Sequence, residues 1–442
     1  MATKNQKRNT SPKTLTRRDF LQVAGVTAGA LLVGCGTKTP PAMPTSAPVA
    51  TSAPTATSAP TATSAPVATS APTATSAPTA TSAPTATSAP TATSAPVATS
   101  APAATTAAPV TATGAYKAQV AAARQKTYDP QALYDTLRDM LDSLGGLGDI
   151  VRPGARVAIK INLTGGVYWD GKIAGLPGVD TFVTHPEVVK ALGKLVLDAG
   201  AKELYIVEAV YQPESYSLWG YTDLAKELGA KLIDLNDKAP YPDFAATPVP
   251  GGGMLYNEFT FNHILEEIDT FMSVSKMKCH WIAGVTHTMK NLFGLVPLQF
   301  YRAAPKDGYR STFHGPTDET AGDRVPQIIT DLNRARPLHF GLVDGIKTCE
   351  SGEGPWIKGL RPLEPGVLIA GKDVVATDAV ATAAMGFDPT AADKTTPFIR
   401  GRNHIQMAYE LGLGTNRLEE IEILGPSLKE ITTPFRPALG EG

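Results

Sequence analysis

The chain beyond residue 113 alternates short apolar runs with segments whose apolar positions recur at helical spacing. Short runs bounded by polar residues are typical of buried strands, whereas recurrence every three to four residues is typical of amphipathic helices. In order, the predicted elements of the first half are a helix over 129–144, a strand over 157–163, a helix over 185–199, a strand over 204–210, a helix over 222–228 and a strand over 231–235. This order predicts parallel strands joined by right-handed crossovers.

The second half of this region is less regular. Residues 240–261 contain three consecutive glycines and predict a hairpin inserted into the alternation. The remaining predicted elements are a strand over 268–275, a helix over 325–332, strands over 339–343 and 367–370, a helix over 374–385 and a strand over 421–424. Together they predict one globular domain over 114–442, with a three-layer α/β fold around a mainly parallel sheet.

The first 34 residues have the pattern of an export signal. Arg17 and Arg18 precede an apolar run over 23–33, which is too short to span a bilayer but has the length of a signal-peptide core. The arginine pair resembles the twin-arginine export signal, and the LVGC sequence ending at Cys35 resembles a bacterial lipobox. We therefore predict a signal peptide over 1–34 and lipidation of Cys35. The expected location is the outer face of the cytoplasmic membrane, or the periplasmic or cell-wall space.

Residues 35–113 predict a tether between this lipid anchor and the globular domain. From residue 45 to residue 104 the sequence consists of ten hexads of the form TSAPTA, with Val or Ala in the fifth position of a few. A segment with regular prolines, no charges and no aromatic residues cannot bury a core, so a disordered, partly extended spacer is expected. Neutral expansion of the repeat is compatible with that interpretation.

Net charge and cysteine content restrict the partners. The whole chain carries a formal charge of −1; residues 1–34 hold six basic residues and one acidic residue, so their removal leaves about −6. A negative balance argues against binding of nucleic acid through bulk charge, and membrane attachment is expected through the lipid. Beyond Cys35 the cysteines are Cys279 and Cys349, with no CxxC pair, so we expect no iron–sulfur cluster. We favour two unpaired buried thiols over a disulfide.

Polar residues concentrate in two neighbouring segments, 275–280 (SKMKCH) and 286–294 (THTMKNLFG). Here the chain resembles the bacterial and archaeal family called domain of unknown function 362, whose members show K-x-K-x-H, then Thr, then Lys-Asn and Gly at this spacing. Further matches to that pattern are VAIKINL at 157–163, THP at 184–186, VDG at 343–345, AGKD at 370–373 and Asp378. The resemblance covers about residues 157–389 and implies little function, since the family is largely uncharacterised. Where members of the family usually have E-G-x-G-P, this chain has ESGEGP at 350–355.

These residues predict a binding site where parallel strands end, which is where such folds place ligands. Lysines there, together with a helix N-terminus at Thr184 and His185, favour a phosphate or carboxylate group. The alternative is that the lysines flank strands and are solvated. The candidate ligand-binding residues are Lys160, Asn162, Lys278, Lys290, Asn291 and Glu353, and the candidate catalytic residues are His280, His287 and Asp373.

We expect His280, His287, Lys290 and Asn291 to line one pocket with Lys160 and Asp373. A divalent metal ion is a rival interpretation, although no HExxH motif is present. Its candidate ligands are His185, His280, His287, His314, Asp344, Asp373, Asp378, Glu350 and Glu353. Asp378 could equally cap the helix predicted over 374–385.

The sequence thus predicts a membrane-tethered extracytoplasmic protein that binds a small anionic molecule. The preferred hypothesis is an enzyme that acts on this molecule, with or without a metal ion. The alternative is a lipoprotein that captures its ligand without changing it. Catalysis requires a group that titrates near the working pH, whereas capture requires only fixed hydrogen-bond donors. No nucleophile elbow, P-loop or dinucleotide-binding motif is present to decide between them.

Overall fold

The computed structural model describes residues 117–167, 172–301 and 312–439. The predicted signal peptide and tether, with Arg17, Arg18 and Cys35, lie outside the described residues. Of the helices in the described part, none has the length and apolar character needed to cross a bilayer.

The strands of the described residues are numbered in chain order. They are β1 (Ala118–Arg124), β2 (Arg156–Lys160), β3 (Lys172–Ile173), β4 (Leu176–Pro177), β5 (Glu203–Glu208), β6 (Lys231–Asp234), β7 (Ala245–Pro248), β8 (Glu258–Phe261), β9 (Thr270–Lys276), β10 (Lys278–His280), β11 (Gly284–Thr286), β12 (Phe340–Gly345), β13 (Thr348–Glu350), β14 (Arg361–Leu363), β15 (Val367–Gly371) and β16 (Ile421–Leu424). The α-helices are Pro130–Ser143, Pro186–Asp198, Glu214–Leu218, Tyr221–Leu228, Ile264–Glu267, Thr288–Asn291, Leu298–Tyr301, Asp318–Ala335, Val374–Ala384, His404–Glu410 and Leu428–Ile431.

Eight strands form one sheet in the order β16-β1-β15-β12-β9-β2-β5-β6. The five neighbours β12, β9, β2, β5 and β6 pair in parallel, and β1 pairs in parallel with β16. Only β15 runs the other way within this sheet, because its pairings with β12 and β1 are both antiparallel. The carboxyl ends of the remaining strands therefore meet at one edge, and β15 ends at the opposite edge.

Apolar side chains on both faces of this sheet bury against helices. In β15, Leu368 and Ala370 belong to the core on one face, while Val367 and Ile369 belong to the core on the other. The helices that cover the two faces are Pro130–Ser143, Pro186–Asp198 and Tyr221–Leu228 on the first, and Asp318–Ala335 and Val374–Ala384 on the second. The predicted three-layer α/β fold with a mainly parallel sheet is confirmed.

The inserted hairpin is also present, since β7 and β8 pair in antiparallel register around a glycine turn. Gly251 and Gly252 adopt φ values of 74° and 84°, which glycine accepts without steric cost.

The thiols of Cys279 and Cys349 are free and buried, as the sequence predicted.

Several elements of the described residues differ from the predicted ones, and two of them belong to the main sheet or to the helices that cover it. The helix predicted over 325–332 is the second half of a longer helix, Asp318–Ala335, whose start is fixed by a capping box between Thr317 and Thr320. Strand β1 was not predicted, because its sequence AQVAAAR is rich in alanine, which has a low intrinsic preference for strands. It is held in the sheet by pairing with β15 on one side and β16 on the other.

Candidate functional site

A cavity of about 70 Å³ lies at the sheet edge where β2 and β5 end. Its walls come from the loop after β2, the end of β5, the short helix Thr288–Asn291 and the turn that follows this helix. Its charged and amide-bearing lining residues are Lys160, Asn162, Glu208, Lys290 and Asn291. Four of these five were candidate ligand-binding residues in the sequence analysis, and Glu208 was not.

Lys160 and Glu208 form a buried ion pair in this wall, with 2.8 Å between Nζ and Oε1. Lys160 Nζ also donates to the carbonyl of Ile161 at 2.7 Å and to Asn291 Oδ1 at 3.3 Å, so all three of its donors are engaged. The second carboxylate oxygen of Glu208 accepts from the Leu163 N–H at 3.0 Å. Burial lowers the pKa of Lys160 and raises that of Glu208, and their mutual attraction opposes both shifts.

Asn162 and Asn291 connect this ion pair to a second buried lysine. Asn162 Nδ2 donates to Asn291 Oδ1 at 3.0 Å, and Asn162 Oδ1 accepts from Lys278 Nζ at 3.0 Å. Asn291 Nδ2 donates in turn to the carbonyl of Lys160 at 3.2 Å and to Ser273 Oγ at 3.0 Å. Such a network fixes the amide orientations, because every buried polar atom in it has a partner.

The short helix that carries Lys290 and Asn291 is fixed by hydrogen bonds to a residue of another helix. Asp378, within the helix Val374–Ala384, accepts at Oδ1 from Thr288 N (2.9 Å) and from Thr288 Oγ1 (2.6 Å). Its Oδ2 accepts from Met289 N at 3.0 Å. Asp378 therefore caps the Lys290 helix and not its own, and the alternative that it caps its own helix is wrong.

Lys290 differs from the other buried lysines in having no acceptor. Within the described ranges its ammonium group makes no hydrogen bond and no salt bridge, and it lies 4.2 Å from the ring centroid of Phe293. Burial lowers the pKa of Lys290 to about 8, against an opposing contribution from the carboxylate of Glu353. Among the described residues, no carboxylate is in hydrogen-bond contact with the Lys290 ammonium group in this cavity.

Lys278 and Glu353 lie beside the cavity and not on its lining. Lys278 Nζ donates to the Glu353 carbonyl at 3.1 Å, and burial lowers the pKa of this lysine to about 7. The Glu353 carboxylate accepts from the indole N–H of Trp356 at 3.0 Å and from Trp281 N at 2.8 Å. Glu353 therefore fixes the surrounding loops, and Lys278 reaches the cavity only through Asn162.

The expectation that His280 and His287 line this cavity is wrong. His280 Nδ1 accepts from the backbone N–H groups of Ile282 and Ala283, both at 3.1 Å, so its ring folds back onto its own turn. His287 precedes a helix of only four residues and does not share its cavity-facing side with Lys290. Its ring is buried, neither of its nitrogens has a hydrogen-bond partner among the described residues, and burial lowers its pKa to about 3.

Asp373 lies at the opposite edge of the sheet, and its expected place beside Lys160 is also wrong. The reason is the direction of β15, which is antiparallel to its neighbours and carries Asp373 away from the other strand ends. There the Asp373 carboxylate accepts from Ala376 N at 2.9 Å and from Thr415 N at 3.1 Å. It is the N-cap of its helix.

The residues considered for a metal site are mostly engaged with one another or with the backbone. Asp344 pairs with buried Lys276 at 2.7 Å and accepts from the backbone N–H of His185 at 3.2 Å. The His185 ring stacks on Tyr128 with 3.5 Å between centroids. In the part of the chain that the structure describes, no group of three or more His, Cys, Asp or Glu side chains is placed to hold a metal ion.

Glu208 is the cavity residue that the sequence analysis missed. It ends strand β5 (ELYIVE), where it follows four consecutive apolar or aromatic residues. A carboxylate at the end of an otherwise apolar buried strand, beside a strand that ends in lysine, is the signal that could have indicated it.

Residues 157–383 match the family described as domain of unknown function (DUF362). This segment is just over half of the chain and contains all the lining residues named above. The chain belongs to this family. Among curated proteins, the thylakoid-associated protein sll1697 of Synechocystis sp. is 28% identical over 325 residues, which are 72% of this chain and 89% of that protein.

Two solved structures are also similar at low levels. One is a protein of Thermotoga maritima, at 12% identity and a TM-score of 0.33, over 60% of this chain and 61% of that one. The other is the lactate racemase apoprotein of Thermoanaerobacterium thermosaccharolyticum, at 14% identity and a TM-score of 0.31, over 57% and 54%. This chain therefore spans about three fifths of the first solved chain and about half of the second.

Proposed function

We propose that this member of the family is a membrane-tethered extracytoplasmic enzyme whose cavity binds a small molecule through a phosphate or carboxylate group. The alternative is a tethered protein that binds the same molecule without changing it. Both rest on the same site, at the carboxyl edge of β2 and β5.

The observation that carries the proposal is the unpaired ammonium group of Lys290. Four lysines are buried among the described residues, and three of them donate to three or more acceptors each. Lys290 alone among these four has none, and it faces a cavity. A buried charge without a partner is costly, and an anionic ligand would supply the missing partner.

The groups around the cavity support acid–base chemistry. Lys290 and Glu208 face the same space, and burial moves the pKa of Lys290 down to about 8 and that of Glu208 up. Groups of opposite charge whose pKa values are moved toward neutral pH are typical of active sites. This arrangement favours the enzyme over the alternative of simple capture.

The location is proposed from the N-terminal sequence. The twin arginines, the short apolar run and Cys35 follow one another in the order that an exported lipoprotein requires. The Synechocystis relative is named for its association with thylakoids, and a membrane-tethered location of this chain is compatible with that name.

The proposal is tested by adding inorganic phosphate or acetate to the mature protein and measuring the melting temperature. Anions that bind the folded state raise it with concentration. We expect Lys290→Met to remove this stabilisation and Lys290→Arg to keep part of it, while Lys358→Met, which changes an exposed lysine, behaves like wild type. Equal stabilisation of wild type and Lys290→Met would contradict the proposed site. Phosphorus and proton NMR of glycerol phosphate and pyruvate incubated with the protein then separate turnover from capture.

A further inference from the structure

The geometry of the cavity points to a covalent role for Lys290. We propose that its Nζ forms a protonated imine with the carbonyl carbon of a small aldehyde or 2-oxo acid. This inference rests on the proposed function, because the same cavity must first admit the ligand, and it names the substrate class.

Lys290 is the buried lysine whose nitrogen is available to a ligand. An ammonium group that donates to three fixed acceptors, as those of Lys160 and Lys278 do, cannot expose a lone pair without breaking these bonds. The Lys290 nitrogen breaks none, because its only described neighbour interaction is with the ring of Phe293. Desolvation against an apolar wall is one of the recognised ways to make a lysine nucleophilic, and burial lowers the pKa of Lys290 to about 8.

Glu208 is placed to move the protons that imine formation requires. The Glu208 carboxylate lines the cavity and accepts one hydrogen bond at each oxygen, from Lys160 and from the Leu163 N–H. A carboxylate has about four lone-pair sites, so Glu208 keeps the capacity to take one proton from the Lys290 ammonium, which leaves a neutral amine. The amine lone pair attacks the carbonyl carbon, the C=O π bond breaks, and one nitrogen proton passes to the oxygen to give a carbinolamine. Glu208 returns its proton to the hydroxyl group, water leaves, and the nitrogen retains one hydrogen in the C=N bond. Ammonium plus carbonyl thus gives iminium plus water, with Glu208 restored.

The size of the cavity restricts the carbonyl compound to a few heavy atoms. A volume of about 70 Å³ is roughly half that of an engineered protein cavity that admits benzene. The backbone of Gly294 lies close to the cavity wall, since a Cβ added there would lie 2.2 Å from Glu208 Oε1. The opposite charges of Lys160 and Glu208 balance each other. The Lys290 ammonium group, before it loses a proton, is therefore the group that attracts the carboxylate of the substrate. Two- and three-carbon 2-oxo acids meet these conditions.

The test is reduction of the imine by borohydride. The mature protein is incubated with pyruvate at pH 8 and reduced, and intact mass and peptide mapping identify the modified residue. We expect one reduced three-carbon adduct, on Lys290, and none with lactate, which has the same carboxylate but no carbonyl group. Glu208→Gln should slow the labelling at least about ten-fold, since a positioned acid–base group contributes this much or more.

Lys290→Arg is the decisive variant, because it keeps the positive charge and removes the nucleophile. Its adduct should be lost, while Lys358→Arg should label like wild type. No adduct on wild type, or labelling of Lys290→Arg at the wild-type rate, would overturn the imine proposal. Stabilisation of wild type by phosphate or acetate reports on the proposed function separately. An anion effect without an adduct therefore overturns only the inference, and the absence of both overturns both.

Discussion

Asp378 accepts two hydrogen bonds from Thr288, one from the backbone N–H at 2.9 Å and one from the hydroxyl group at 2.6 Å. The two residues are 90 positions apart in the chain. Asp378 thereby joins the helix Val374–Ala384, on one face of the sheet, to the start of the four-residue helix that presents Lys290. A helix this short is not stable by itself, so the position of Lys290 depends on this contact.

Asp378→Ala should therefore lower both stability and anion binding. Removing the carboxylate leaves buried N–H donors of Thr288 and Met289 without acceptors, at an expected cost of about 3 kcal/mol in the free energy of unfolding. Urea unfolding measures this change. Asp373→Ala is the matched control, because it removes a helix N-cap and one hydrogen bond from Thr415 N at the far edge of the sheet and should cost about 1–2 kcal/mol without loss of anion binding. Equal losses of stability and of anion binding in the two variants would contradict the conclusion that Asp378 holds the helix of Lys290 in place.

The geometry of the cavity wall also depends on the absence of a side chain at Gly294. A Cβ at this position would lie 2.2 Å from Glu208 Oε1 and 2.8 Å from Lys160 Nζ, so Gly294→Ala must displace a buried ion pair. We expect a loss of about 3 kcal/mol in the free energy of unfolding, together with loss of anion binding. Gly148→Ala is the control, since no atom lies within 4 Å of its added Cβ, and it should change stability by less than about 0.5 kcal/mol. A stable, anion-binding Gly294→Ala variant would show that the ion pair is not held where the structure places it.

The sequence predicted much of this architecture because hydrophobic periodicity is strong where strands are buried on both faces. The helix predicted over 185–199 is observed as Pro186–Asp198, and the strand predicted over 231–235 is observed as Lys231–Asp234. Lys160, Asn162, Lys290 and Asn291 also meet in one cavity, because parallel strands deliver their carboxyl ends to the same edge.

The errors have a common physical cause, which is that a sequence pattern reports neither the direction of a strand nor the residue at which a short helix begins. The apolar run of β15 reads the same whether the strand is parallel or antiparallel, and its true direction places Asp373 away from Lys160. Likewise, helical spacing from His287 to Lys290 means a shared face only if the helix includes His287, and it begins at Thr288. Tertiary pairing decides both points.

His404 should make the protein sensitive to acid. Its ring is buried, neither of its nitrogens has a hydrogen-bond partner in the described part of the chain, and burial lowers its pKa to about 3. A folded-state pKa below the usual value means that the unfolded state binds more protons, so stability is present above about pH 6.5 and is lost as pH falls toward 3. The loss approaches about 1.4 kcal/mol per pH unit for one such group.

The variant His404→Phe keeps an aromatic ring in the contact with Phe398 and removes the titrating nitrogens. Between pH 7 and pH 5, wild type should lose about 2 kcal/mol more of its free energy of unfolding than the variant does. Urea unfolding of both proteins at the two pH values measures the difference. Parallel losses would mean that the ring is protonated in the folded state, and that a partner satisfies it there.

The last prediction concerns the export and the cellular location of the protein, which we expect residues 1–35 to determine. Twin arginines are read by an export route, whereas a lipobox cysteine determines retention, so changes at the two places should have different effects. Arg17→Lys combined with Arg18→Lys should leave the protein inside the cell, while Arg8→Lys, an equally conservative change outside the motif, should not. Cys35→Ala should still be exported but should appear in the soluble extracytoplasmic fraction, because the acyl chains that we propose as the membrane anchor cannot then be attached. Cell fractionation with immunodetection measures both effects, and mass spectrometry of the mature N-terminus detects the lipid. Membrane retention of Cys35→Ala would show that another part of the chain provides the anchor.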